Sequence, residues 1–297
     1  MKVIRPNTVS TSSIISSTLI ETEAQWLSVT NYAVGDVVYE GLNGVYQAIS
    51  ANINKQPSAN PLIWTYIRPS NRWALFDSQT STSSTATTSL EITINTKSID
   101  GIALLNVVGN AAEVTVRDGQ DGPIIYTGIQ GLVGDVYDWY QYFFYDTSIR
   151  RNTAVFLDIP SYTNTYTTIK VTAATGNPVS IGTCTFGKIN TIGNSEYGFT
   201  SGITDYSKKE TDEFGTTTFV RRAYSKRMSG RVLVNNAELN RVQRILYDLR
   251  AVPVLWFASQ NPTFEEALVV FGYYRDFSTD ISYPTYSYCS LEIEGLV

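Results

Sequence analysis

Short apolar runs with a period of two dominate the middle of this chain. Leu90-Glu91-Ile92-Thr93-Ile94 and Glu113-Val114-Thr115-Val116-Arg117 alternate cleanly. Ile102–Val108, Ile124–Tyr126, Ala154–Ile159, Thr168–Val171 and Val179–Gly182 are runs of the same kind. Alternation sends successive side chains to opposite faces, so these runs predict half-buried strands. Asp118-Gly119, Asp121-Gly122-Pro123 and Gly176-Asn177-Pro178 separate them as turns. Strands this short and this regularly spaced predict an antiparallel β-sandwich over residues 90–190.

The period changes near the end of the chain. Leu239, Val242, Leu246 and Leu249 recur at three and four residues, which predicts an amphipathic helix from Ala237 to Arg250. Asn235-Asn236 supplies an N-cap and Pro253 follows the helix end. Strands are predicted on both sides of the helix: Phe199–Tyr206, Thr217–Tyr224, Arg231–Val234, Val254–Phe257, Leu268–Tyr274 and Tyr288–Ile293. One helix on an antiparallel sheet or split barrel makes residues 191–297 an α+β domain.

The first twenty residues are polar, with few apolar positions, and read as an extended arm that gains order against a partner or another part of the fold. Residues 21–77 form a small aromatic module. Its hairpin runs Val37–Glu40, then Gly41-Leu42-Asn43-Gly44, then Val45–Ile49. In so small a unit Trp26, Tyr39 and Trp64 read as core, which leaves Tyr32, Tyr46 and Trp73 as the exposed rings for a carbohydrate. A ring face takes the apolar C–H side of a sugar, and polar neighbours take its hydroxyls. Residues 78–89 are a Ser/Thr tract that reads as a linker or an exposed loop. The densest aromatic stretch, Tyr137–Tyr145, reads as a loop packed under the sandwich or as a contact surface.

Composition removes whole classes of chemistry. The 297 residues include no histidine, which excludes Ser-His-Asp and Cys-His catalysis and His-ligated metals. No carboxylate pair stands in a diagnostic motif, so no catalytic residue and no enzyme activity are expected. No cofactor or metal site is expected either: Asp118-Gly119-Gln120-Asp121-Gly122 lacks the spaced acids of a calcium loop and reads as a hairpin turn. A net charge of −5 argues against nucleic acid as a partner. Arg221, Arg222, Lys226, Arg227 and Arg231 cluster nonetheless, with Glu210, Asp212 and Glu213 close in sequence. Of these, Arg221, Arg222, Arg227 and Arg231 read as subunit-interface candidates, since charge pairs at a repeated contact fix its register. No apolar run is long enough to insert in a membrane, and Met1-Lys2-Val3-Ile4-Arg5-Pro6 lacks the apolar region of a signal peptide. Cys184 and Cys289 read as buried thiols, with a disulfide as the alternative.

Three resemblances add to this reading. The order of the strand segments over residues 90–190 resembles galactose-binding-like jelly rolls, so the sandwich is expected to be jelly-roll-like. Trp26, Tyr32, Gly35-Asp36, Val38-Tyr39, Tyr46-Gln47-Ala48, Pro57 and Trp64 resemble the small chitin-binding type of carbohydrate-binding module. The sugar-binding versions carry further aromatics after the Tyr-x-Ala strand, where this chain has Ile49-Ser50-Ala51-Asn52-Ile53-Asn54. A spacer or protein-binding module therefore remains open beside a sugar-binding one. The strand and helix order of residues 191–297, with Leu249–Trp256, Phe271–Phe277 and Leu291–Val297, resembles tail-tip and distal-tail (baseplate) proteins of tailed phages. That resemblance implies a virion structural protein made in the host cytoplasm. It implies a ring of copies of itself that meets other tail proteins (tube, hub, fibre) and contacts host surface polysaccharide. A freestanding carbohydrate-binding protein is the alternative.

Overall fold

The computed structural model describes residues 1–41, 44–134, 139–144, 150–211, 213–259 and 266–296. Strands make up 52% of the chain and helical turns 8%, so the protein is mainly β as the alternation predicts. It divides into two compact units, Met1–Asn7 with Thr185–Val297 and Thr8–Cys184. They are called here the C-terminal unit and the inserted unit.

The C-terminal unit is an antiparallel sheet with one long helix. Strand Lys2–Pro6 pairs on one side with the strand that ends at Thr191 (Lys2 opposite Thr191). On its other side it pairs with Val254–Phe257. The order continues through Val269–Asp280, Tyr286–Gly295 and Tyr224–Asn235, and Asn194–Ser195 and Thr200–Asp205 lie along the far side of Tyr224–Asn235. Helix Leu239–Asp248 buries Leu239, Val242 and Leu246, the predicted stripe, and Leu249 follows them into the same core. Its N-cap is Glu238 rather than the Asn pair. Asn235 instead accepts the Ala237 N–H through its side chain at 3.0 Å, an Asx turn that leads into the helix. The chain leaves the helix through Ala251, held at φ 58°. At the centre Trp256 is fully buried and its indole N–H donates to the Gly272 carbonyl at 3.1 Å. A Cβ on Gly272 would lie 2.0 Å from the Glu294 carbonyl oxygen, so this close strand approach needs glycine.

The first residues gain their order against other parts of the fold, one of the two alternatives for the arm. Val3 and Ile4 have no exposed surface, and the Met1 amino group donates to the Gly193 carbonyl at 2.5 Å. Residues Ile14–Ser17 form a second strand, paired to Ile92–Ile94, and Leu19 is fully buried. Local pattern could not show this, because each short run is completed by strands far away in sequence.

In the inserted unit a five-stranded antiparallel sheet has the order Ile124–Gly131, Ala111–Asp118, Thr165–Thr172, Ser89–Lys97 and Ile14–Ser17. Leu90, Ile92, Ile94 and Thr96 point inward, alternating with outward neighbours, as do Ala112, Val114 and Val116. The buried Thr96 hydroxyl is satisfied by Thr165 and Thr167, each at 2.9 Å. A second layer includes the pair Gly101–Leu105 and Thr153–Phe156, and Gln130 joins the layers by bonding both the N–H and the C=O of Val155. The segment Asp118–Gly122 is a turn, with Gly119 at φ 85°.

The aromatic module has a four-stranded sheet ordered Ala24–Gln25, Val37–Glu40, Gly44–Ala48 and Trp64–Arg68. The Ser/Thr tract that follows it is structured. Ser84–Thr87 pairs with Pro178–Ile181, and Ser84 is fully buried and accepts the Leu75 N–H. Asn71 bonds the N–H and C=O of Thr85 and the C=O of Ile20, while the Glu21 carboxylate accepts the N–H groups of Asn71 and Arg72. Small polar side chains here are spent on specific hydrogen bonds, which composition alone does not distinguish from a linker. Both cysteines are free and buried, in keeping with the thiol reading. Among the described residues no helix is long and apolar enough to cross a membrane.

Candidate functional site

The three candidate sugar rings do not form one platform. Tyr32 is buried: its ring meets Trp64 edge to face at 5.2 Å and its hydroxyl accepts the Leu27 N–H at 2.7 Å. It belongs to the module core with Val38, Ala48 and Trp64, because a unit this small needs its rings inside. Tyr46 is half-buried and packs edge to face on Tyr66 at 5.7 Å, a ring that sequence reasoning passed over and that is half exposed. Burial, and after it the Glu40 carboxylate, raises the Tyr46 phenol pKa. Burial and then the Asp77 carboxylate raise that of Tyr66. Trp73 stands on the following turn and packs edge to face on Phe76 at 6.0 Å. The most exposed apolar side chains of the module are aliphatic, Val29, Val34 and Leu62, with Ile49, Ile53 and Tyr66 about half exposed.

The interface arginines also separate. Arg221 and Arg222 lie at the root of a projecting hairpin, Lys208–Thr211 with Thr217–Val220, closed through Gly215 at φ 82°. Every described residue from 208 to 224 is exposed, including Phe214 at 93% and Phe219 at 72%. At roughly 3.3 Å per residue each four-residue strand is about 13 Å long. Lys209 sits over the Phe219 ring at 6.0 Å and Lys208 pairs with Glu210. Asp205, at the root, has its carboxyl pKa lowered by hydrogen bonds from Ser207 and by Arg221. Thr200–Asp205, which leads into the hairpin, pairs only with Tyr224–Asn235, so its outer edge is open among the described strands. The turn was legible as a charged segment; the exposure of every described hairpin residue was not.

Arg227 and Arg231 lie on the sheet itself, on the face that points away from the core residues Met228, Val232 and Val234. Arg231 stacks over Tyr288, 5.3 Å from the ring centre. Tyr288 forms a cluster with Tyr283 and Tyr286, and the Tyr283 and Tyr286 rings stack at 4.7 Å. Near the start of strand Thr200–Asp205 an apolar cavity of about 470 Å³ is lined by Tyr197, Phe199, Ala258, Ala267 and Leu268 among others. Among the described residues no group of acids and cysteines is arranged to hold a metal.

The geometry thus defines a mainly β protein of two compact units, one bearing an exposed hairpin and a polar outer sheet face. No protein-family model matches the chain, and no curated protein matches it.

Proposed function

We propose that this chain is a structural, self-assembling protein that joins copies of its C-terminal unit head to tail into a ring, as a component of a phage tail tip or baseplate. The observation that carries the reading is the hairpin 208–220. A two-stranded hairpin with no buried face is marginal in water, and large exposed aromatics mark contact surfaces. A second copy is the occupant that explains both the hairpin and the open edge of Thr200–Asp205, since unpaired strand edges are templates for another strand of the same kind. A patch that meets a different patch on the next copy gives a heterologous contact, which closes into a ring when the rotation permits. The resemblance of residues 191–297 to distal-tail proteins supports the virion setting, with tube, hub or fibre proteins as neighbours and host polysaccharide as an outer contact.

The test compares mass distributions in solution for the full chain and a variant in which residues 208–220 are replaced by a two-residue turn. The reading expects a discrete oligomer for the full chain and monomer for the variant. A full chain that stays monomeric at high concentration, and binds no tail protein, would refute it. The freestanding sugar-binding alternative rests on the Tyr46–Tyr66 pair, and loss of glycan binding in Tyr46→Ala would favour it.

A further inference from the structure

We propose that the outward face of the C-terminal sheet carries a glycan-binding cleft built from Arg231, Asp276 and Ser290 and bordered by the Tyr283, Tyr286 and Tyr288 rings. The inference does not depend on the assembly proposed above.

The register brings these groups together. Arg231 stands opposite Ser290, Ser290 opposite Ser278, and Asp276 opposite Glu292, on three adjacent strands. Directly opposed residues share a face, so one row of polar side chains runs across the sheet. Between them lies an open cleft of about 490 Å³, lined by Ser229, Arg231, Asp276, Ser278, Ser290 and Glu292 among others. That volume falls within the range of small-ligand sites, roughly 300–1,000 Å³. Tyr288 precedes Ser290 by two positions and lies on the same face, about 7 Å along the strand. The Arg231 guanidinium spans the step, lining the cleft and covering the Tyr288 ring.

The hydrogen-bonding capacity of the cleft is unspent. Among the described residues the side chains of Arg231, Asp276, Ser229, Ser278 and Ser290 make no hydrogen bond or ion pair, and Glu292 has only Arg275 at 3.8 Å. Donors and acceptors of both signs are thus offered together on rigid strands rather than on loops. The balance of charge selects the ligand class. Asp276 and Glu292 balance Arg231 and Arg275, so there is no excess positive charge, which disfavours a phosphate or sulfate. Two carboxylates fall short of a metal site, and none is formed among the described residues. The centre of a protein contact is depleted in charge, unlike this cleft. A neutral polyhydroxylated ring fits: carboxylates accept its hydroxyl protons, the guanidinium and serines donate, and a tyrosine takes its C–H face. Tyr283 is half exposed, with one ring face stacked on Tyr286, which leaves its other face for such a contact.

The experiment presents a broad array of neutral glycans to the full chain, with sulfated dextran as the anionic control, and titrates the best hit. At least one neutral glycan should bind. Asp276→Asn and Arg231→Gln should each weaken it by about tenfold or more, since each removes a charge-assisted hydrogen bond. Ser290→Trp, which fills the cleft, should abolish binding, and Arg244→Gln on the helix should leave it unchanged. Circular dichroism and mass of every variant are measured on the same samples. The inference is overturned if no neutral glycan binds, if folded cleft variants retain full binding, or if sulfated dextran is preferred. It is equally overturned if the cleft variants dissociate an oligomer, because the face is then a contact between copies. A monomeric but glycan-binding chain would refute the ring and leave this site standing.

Discussion

The aromatic module and the C-terminal unit use their rings in opposite ways. In the module, Tyr32 and Trp64 close a core around Val38 and Ala48, and the most exposed apolar side chains, Val29, Val34 and Leu62, are aliphatic. In the C-terminal unit, helix Leu239–Asp248 and the sheet supply an aliphatic core of Val3, Val232, Val242, Leu246 and Leu291 around Trp256. Phe214, Phe219 and Tyr283 are left outside. The difference is one of size. About fifty-five residues bury little apolar area, so Tyr32 and Trp64 are needed inside. A unit with a long helix and a broad sheet can leave rings at its surface.

The sharpest break of that comparison lies in the first strand. Val3→Asp puts an unpaired carboxylate among Trp256, Val270 and their neighbours and should cost more than about 3 kcal/mol. Denaturant unfolding should then show the C-terminal unit melting while the inserted unit holds. Next, Trp64→Ala should destabilise the module by about 3–5 kcal/mol, as large-to-small changes in a packed core do. Phe214→Ser should change stability by less than about 0.5 kcal/mol, as exposed sites do. Equal effects of the two would dissolve the distinction between core and surface rings. Tyr32→Phe removes the part-buried hydrogen bonds to the Leu27 N–H and C=O and should cost about 1–2 kcal/mol. If Tyr32→Phe is neutral and instead weakens sugar binding, Tyr32 is a ligand contact after all.

The smallest effect is a pH slope. Burial, with Lys2 nearby, lowers the Met1 amino pKa from 8.0 to about 6. The unfolded amine therefore holds more protons than the folded one between these values. Stability of the C-terminal unit should rise as pH goes from 6 to 8, with the penalty fully present below that window. Solvent on the open side of the amine keeps the gain under about 1 kcal/mol. With no histidine in the chain, little else titrates there. Acetylating the amine should flatten the slope, and an unchanged slope would show that another group causes it.

Much of this fold was legible wherever one element carries its own signal. Leu90–Ile94 alternate as a half-buried strand must, and Leu239, Val242, Leu246 and Leu249 mark one helix face. What sequence could not show is who pairs with whom. Val3-Ile4 is too short to signal a central strand, and only Val254–Phe257 and the strand ending at Thr191 make it one. Ser84–Thr87 has linker composition and a strand's hydrogen bonds. The tyrosines at 283, 286 and 288 were visible only as letters, and Arg231 reached them through a register fixed by two other strands. The hairpin turn was readable, but exposure on all sides is a property of the folded surroundings.

The account turns on where the hairpin tip goes. A photoreactive benzoylphenylalanine in place of Phe214, irradiated in the assembled full chain and mapped by mass spectrometry, answers that directly. The predicted product joins two copies, with the attachment in the C-terminal unit near Tyr197, Phe199 or Leu268, where the apolar cavity lies. Irradiation that yields no product between copies would contradict the account, and so would attachment confined to the aromatic module.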